Sequence, residues 1–289
     1  MARDPILWSS SFGEVEAALD SARAPLRRYW AGHLALLPEG RRINDVKIAD
    51  TPEDRNCAKI VRAALRSFGL PLVVEDEPCP AAVLGPCFVV DPLDGTHNAM
   101  MGYPAFTISV ALFDSAGQVE FGWVYDLSRD VAYLGARGLG SFVRTPLAAR
   151  RLTTERQKGI QNLAVSMMRH RSSPQGIGKL MREARKVRIS ACSSLDLCLV
   201  AAGALDAFVD VTEPGHERTC DIAAAAVVLS EAGGILLDPA GSPRKLAPPG
   251  TAALHDYGGL VAIGDPDCAE SLLETLQEGS HTCPTTARG

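Results

Sequence analysis

The hydrophobic period of this chain changes twice along its length, which restricts the fold to a helix-and-sheet first half joined to an alternating second half. Residues 12–31 place Val15, Ala18, Leu19, Ala22, Leu26 and Tyr29 or Trp30 at helical spacing, predicting an amphipathic helix despite Pro25. Residues 58–68 repeat the pattern through Ile60, Val61, Ala64, Leu65 and Phe68, with Gly69 as the stop. The period then shortens to that of strands at residues 72–74, 87–90, 106–113, 120–125 and 131–134. With no helix expected between them, these runs predict an antiparallel sheet. Beyond residue 160 strands at 163–167, 187–190, 207–210, 235–237 and 260–263 alternate with helices at 174–184, 194–202 and 222–232. That alternation is α/β in style.

Length and charge bound the rest. The 289 residues, 46% hydrophobic and 22% charged, suit one large or two small domains with a full core. The expected division is an N-terminal lobe over 1–150, a C-terminal lobe over 151–277 and a frayed tail over 278–289. No apolar run approaches the roughly 18 residues of a membrane span. Eight cysteines without a CxxC pair, and no secretory leader, predict free thiols and a cytoplasmic protein. A net charge of −5 argues against a general nucleic-acid binder. The average hides one basic stretch, residues 144–188, with twelve Lys and Arg against Glu155 and Glu183. Without interleaved aromatics it reads as a solvated face or a landing strip for phosphate-bearing ligands.

The chemistry concentrates in Cys87-Phe-Val-Val-Asp-Pro-Leu-Asp-Gly-Thr-His-Asn98. An apolar strand runs into two aspartates three apart, and Pro92 fixes the backbone between them. Asp91, Asp94 and the Leu93 carbonyl can converge as the edge of a Mg2+ site, since hard divalent cations take oxygen ligands. Gly95 and Thr96 then offer backbone N–H groups for phosphate oxygens and a hydroxyl for a water. A bare Asp-Pro-x-Asp-Gly would be an ordinary turn, but it has companions. Upstream, Leu72-Val-Val-Glu-Asp-Glu77 is another strand ending in acids; downstream, Asp221 opens a helix, where alone it would read as an N-cap.

Together these segments resemble the inositol monophosphatase family, Mg2+-dependent, lithium-sensitive phosphatases of small phosphorylated alcohols. Asp91-Pro-Leu-Asp-Gly-Thr-His-Asn98 looks like the family's DPxDGTxN signature, and Cys220-Asp-Ile-Ala-Ala with Glu231-Ala-Gly-Gly234 looks like WDxAA…EAGG. The likeness spans roughly residues 12–270. It implies an α/β protein of the α+β sugar-phosphatase type, a five-layer αβαβα sandwich, usually a homodimer. It also implies Mg2+ ligands at Glu75, Asp91, the Leu93 carbonyl, Asp94 and Asp221, and a phosphate and water site at Gly95 and Thr96. The family's Gly-Glu-Glu segment is altered to Val74-Glu75-Asp76-Glu77, so Asp76 is the alternative to Glu75. Thr51-Pro-Glu-Asp54 matches the second-helix motif, giving Asp54 the role of accepting a hydrogen bond from Thr96, with Asp50 as the alternative and Lys47 as a loose match for the family's lysine.

Other departures bear on substrate. Asp210 stands where the family often has a Glu that contacts substrate hydroxyls, and Ser193 in Ala191-Cys-Ser193 is a substrate-contact candidate. His97 belongs at the lip of the pocket. The segment 210–220 is lengthened and adds Glu213, His216, Glu217 and Arg218, so inositol 1-phosphate is expected to be a poorer substrate than some other phosphate ester. The expected activity is Mg2+-dependent hydrolysis of an inositol-, polyol- or sugar-phosphate by a metal-activated water. The alternatives are a 3'-phosphonucleotide or sugar bisphosphatase on the same scaffold, or a weakly active regulatory member.

Overall fold

The computed structural model describes residues 10–34, 51–78, 83, 85–154, 159–168, 175–211, 217–246 and 259–277. Helices α1 (Ser10–Leu34) and α2 (Pro52–Leu65) come first. Helix α2 starts six residues earlier than its apolar period predicts, because Thr51 caps it and Pro52 supplies a first-turn residue that has no N–H to satisfy. Seven strands then form one sheet in sequence order: β1 (Leu72–Val74), β2 (Cys87–Asp94), β3 (Thr107–Phe113), β4 (Val119–Asp126), β5 (Val131–Ala136), β6 (Gly140–Arg144) and β7 (Ala149–Arg151). Two expectations fail here. Strand β1 pairs with β2 in parallel, in register Leu72 with Phe88, so the sheet is mixed. A short helix, α3 (Thr96–Met101), also interrupts the run between β2 and β3. A three-residue apolar run carries no information about strand direction, and a six-residue helix is too short to show a period.

The second sheet has the order β11-β12-β10-β8-β9, with β8 (Ala164–Met167), β9 (Lys186–Arg188), β10 (Ala207–Asp210), β11 (Ile235–Leu237) and β12 (Leu260–Ile263). Strand β8 is parallel to both β9 and β10, while β12 is antiparallel to β10 and β11. Helices α4 (Gln175–Glu183), α5 (Ser193–Ala201) and α6 (Thr219–Glu231) follow the predicted alternation. A last helix, α7 (Ala269–Gln277), was not expected from sequence.

Strand alternation explains the layers. Along β2, Phe88 and Val90 face a core built with Leu19, Leu26, Val61 and Leu65 of α1 and α2, while Cys87 and Val89 face the opposite core with α5 and α6. Along β10, Phe208 joins that middle core; Ala207 and Val209 turn to an outer core with Ile177, Leu180 and Leu272 of α4 and α7. The result is helices, sheet, helices, sheet, helices: the αβαβα sandwich. Both sheets are covered on two faces, hence the nearly continuous apolar runs. Helix α6 lies very close to the first sheet. At Gly122 of β4 a Cβ would run into the Ala224 carbonyl and reach within 2.7 Å of Val227 Cγ1. Arg23 of α1 is buried and pairs with Asp130 at 2.7 Å, tying α1 to the β4–β5 turn. Among the described residues no helix is long and apolar enough to cross a membrane.

Candidate active site

The parallel pairing of β1 and β2 brings two strand ends to the same side of the sheet. Glu75 follows β1 directly, its N–H donating to the Val90 carbonyl at 3.0 Å, while β2 runs on into Asp91. Pro92 has no N–H for the ladder, and the β2–β3 register shifts between Asp91 and Asp94. Asp91 Oδ1 accepts the Leu93 N–H at 2.9 Å, closing a tight local turn. Gly95 then takes φ 79°, and a Cβ there would lie 2.6 Å from the Ala105 carbonyl, so this corner requires glycine twice over.

Three further helices point their N-terminal ends at this corner. Asp221 is the third residue of α6, not its cap as the isolated sequence suggests, and its Oδ2 accepts the Arg218 N–H at 2.7 Å. Asp54 is the third residue of α2; its Oδ2 accepts the Thr51 N–H at 3.0 Å, and Thr51 Oγ1 hydrogen-bonds to the same oxygen. From α5, Ser194 donates its N–H at 2.8 Å and its hydroxyl at 2.5 Å to Asp94 Oδ2. The positive ends of α2, α5 and α6 thus face the acids.

Across the corner, Thr96 Oγ1 lies 3.2 Å from Asp54 Oδ1 and 2.7 Å from the Leu93 carbonyl. One hydroxyl proton serves these two acceptors, leaving the oxygen's lone pairs for another donor. Asn98 Nδ2 donates to the Ala105 carbonyl at 2.8 Å and the Ser190 carbonyl at 2.7 Å, joining α3 to the β9–α5 turn.

These groups line an open cleft of about 400 Å3. Asp54, Glu75, Asp91, Leu93, Asp94, Gly95, Thr96, Ser193 and Asp221, all singled out from the sequence, lie on its wall. Asp76, His97, Met168, Ala191, Glu217 and Arg218 join them. Asp210 does not line it: this carboxylate is fully buried at the end of β10, where its charge acts on Glu217. Asp50, Lys47, Glu213 and His216 lie outside the described residues. None of the described basic side chains of residues 144–188 lines the cleft; Arg144 pairs with Glu16 instead.

The electrostatics are those of crowded, dehydrated carboxylates. Burial, then the charges of Asp94 and Asp221, hold Asp91 well above the usual carboxylate range. Burial pushes Asp94 up to about 6 against the hydrogen bonds from Ser194, and Asp221 is raised by burial against the pull of Arg218. Glu217 is 2% exposed, is raised well above the ordinary Glu range by burial and by Asp221, and its Oε1 has no hydrogen-bond partner among the described residues. Glu75, Cys220 and Asp221 place ligand atoms within 4.8 Å of one another. The Cys220 thiol is raised by burial and stays protonated, which leaves oxygen donors as the useful set. Carboxylates from 75, 91, 94 and 221 with a main-chain carbonyl fit a hard divalent cation, and their mutual repulsion is the kind that such an ion relieves.

Sequence reasoning missed Ser194, and named Glu217 and Arg218 only as loop residues. Glu217 and Arg218 had a signal, since acids and bases crowd an unusually long segment before Asp221. Ser194 had none, because its role depends on a contact made a hundred positions away in the chain.

A layered sandwich with an acid-lined cleft at its helix ends is the frame of a phosphoric monoester hydrolase. Residues 61–279 match the sequence profile of the inositol monophosphatase family, and the chain belongs to that family. It is 31% identical over 202 residues to inositol monophosphatase 1 of Solanum lycopersicum, covering 66% of this chain and 67% of that one. It is 29% identical over 201 residues to a protein of Methanothermobacter thermautotrophicus named fructose-1,6-bisphosphatase/inositol-1-monophosphatase, covering 67% and 68%. In fold it is similar to extragenic suppressor protein suhB of Bartonella henselae, with a TM-score of 0.73 at 23% identity over 92% of this chain and 99% of that one.

Proposed function

We propose that this phosphatase hydrolyses a small inositol-, polyol- or sugar-phosphate and depends on Mg2+ to do so. The observation that carries the reading is the gathering of buried Asp91 and Asp221 and half-buried Asp94 around one cleft, with Glu75 beside them. These four carboxylates and the Leu93 carbonyl would hold the cation; when bound, it supplies charge neutralisation at the phosphoryl group and a water of lowered pKa. The chain's own residues do the rest. Gly95 turns the chain into α3 at the cleft wall, where the first backbone N–H groups of that helix would receive phosphate oxygens. Thr96, held by Asp54 and the Leu93 carbonyl, presents an oxygen that can accept a hydrogen bond from the attacking water and fix its direction, with Asp54 behind it as the carboxylate that the hydroxyl proton faces. Ser194 at the α5 N-terminus holds Asp94 in place and replaces hydrogen bonds that burial takes from its carboxylate.

We infer that Glu217 rather than Asp210 reads substrate hydroxyls: Glu217 is among the residues lining the cleft and Asp210 is not, and its buried Oε1 has no hydrogen-bond partner among the described residues. The dual name of the archaeal relative supports sugar phosphates beside inositol phosphates in the substrate class. A phosphate-release assay over inositol, sugar, polyol and 3'-phosphonucleotide esters, with Mg2+ and with EDTA, tests the reading. Release that requires Mg2+ and favours a polyol or sugar ester is expected. Release undiminished by EDTA, or none from any ester, would overturn it.

A further inference from the structure

We propose that Arg218 is the built-in counter-ion of the outer half of the carboxylate cluster, a positioning residue that sets how tightly the site holds a divalent cation. The inference rests on the cation-dependent reading above and adds to it a competitor from the chain itself. The Arg218 guanidinium pairs with Glu75, lies 3.3 Å from Asp76 Oδ1 and 3.5 Å from Asp221 Oδ2. Glu75 and Asp221 are the same two carboxylates whose oxygens come within 4.8 Å of each other as a candidate ligand pair. A cation that takes both must displace the guanidinium. The inner pair is built differently: Asp91 is held by the Leu93 N–H, and Asp94 by Ser194 and the Cys192 thiol, all neutral donors. The cluster therefore has an inner zone fixed by neutral hydrogen bonds and an outer zone held by a charged, part-exposed side chain.

The anchoring of Arg218 suits exchange. Its backbone N–H is fixed to Asp221 Oδ2 at 2.7 Å, at the entry to α6. The side chain can leave without moving the helix, and at 30% exposure it has water beside it. In the cation-free protein the guanidinium offsets repulsion among Glu75, Asp76 and Asp221. On binding, the same contacts count against the cation, because its apparent affinity is reduced by the fraction of molecules in which the arginine is out of the way. A purely structural ion pair would give the first effect and not the second.

Titration calorimetry with Mg2+ alone, on the wild type, Arg218→Met and Arg218→Lys, separates these. Methionine keeps the apolar stem and removes the charge. The expected result is Mg2+ binding about tenfold tighter or more in Arg218→Met, as for removal of a competing closed state, with Arg218→Lys between. Arg218→Met should also melt lower than wild type in EDTA, and the gap should shrink at saturating Mg2+. If the Met variant fails to fold in EDTA, the Lys variant carries the same comparison with a smaller gain. Equal or weaker Mg2+ binding in the variants, with binding intact in the wild type, would overturn the role of Arg218 and leave the cation reading standing. No Mg2+ binding in any of the three would overturn both.

Discussion

Asp94 is stabilised as a carboxylate by Ser194 and Cys192 and destabilised by burial and by Asp221, so its charge is kept at a cost that the proposed ligand role would offset. Asp94→Asn retains an oxygen to accept the Ser194 N–H and removes one of the carboxylates proposed as ligands. The variant should fold, melt higher than wild type in EDTA, and lose at least about 100-fold in Mg2+-dependent phosphate release, as disturbances around metal sites commonly do. Steady-state assays with melting curves decide it; full activity at ordinary Mg2+ would remove Asp94 from the site. Thr96 has a different task. Thr96→Ala deletes the oxygen between Asp54 and the Leu93 carbonyl without touching a carboxylate. It should lower kcat by about 10^2 to 10^4-fold with little change in KM, in the range of acid–base positioning groups. A loss confined to KM would assign Thr96 to binding instead.

At the scale of elements, Asp221 is aimed by α6, and α6 is aimed by its close approach to the first sheet at Gly122. Gly122→Ala must push the helix or bend β4. Overpacking of this kind costs about 1 to 3 kcal/mol, and because α6 carries Asp221 the same variant should bind Mg2+ more weakly. A lower Tm with unchanged Mg2+ binding would show that the helix adjusts without moving its first turn. The elements that were legible in the sequence are those whose signal is local. Asp91-Pro92-Leu93-Asp94-Gly95 folds its corner through an i to i+2 hydrogen bond, a missing N–H and a glycine-only φ, all within five residues. The parallel direction of β1, the α3 interruption and helix α7 were not legible, since direction is set by a crossover and short helices show no period. Among site residues, Ser194, Glu217 and Arg218 acquire their roles from contacts between segments: Ser194 with Asp94, Arg218 with Glu75 and Asp76, Glu217 with Asp221. No pattern within one segment encodes those pairings, and Asp210 shows the converse, a position that looks right in line and ends up buried off the cleft wall.

For the whole molecule, the cleft is a reservoir of electrostatic strain that folding maintains. Asp94 is raised to about 6 from the ordinary 3.8, and Asp91, Asp221 and Glu217 are raised as well. A carboxyl with a raised folded pKa binds more protons folded than unfolded, so stability falls as pH rises from the unfolded value through the folded one. The metal-free protein should therefore melt lower at about pH 7 than at about pH 5. If Mg2+ binds the ionised carboxylates as proposed, saturating Mg2+ should flatten or reverse that slope. Asp196, raised to about 6 by burial but bonded to Ser166 and Ser190 away from the cluster, contributes a part that Mg2+ leaves in place. A metal-free Tm that rises over this window would contradict the crowding of the acids. The most direct measurement is anomalous diffraction from crystals soaked in Mn2+ as a stand-in for Mg2+. A peak about 2 to 2.5 Å from carboxylate oxygens of Asp91, Asp94 and Asp221 is expected, the range of hard-cation oxygen ligation. Ordered Asp91 and Asp94 with no peak between them, or a peak only elsewhere on the molecule, would contradict a cation-dependent site at this corner.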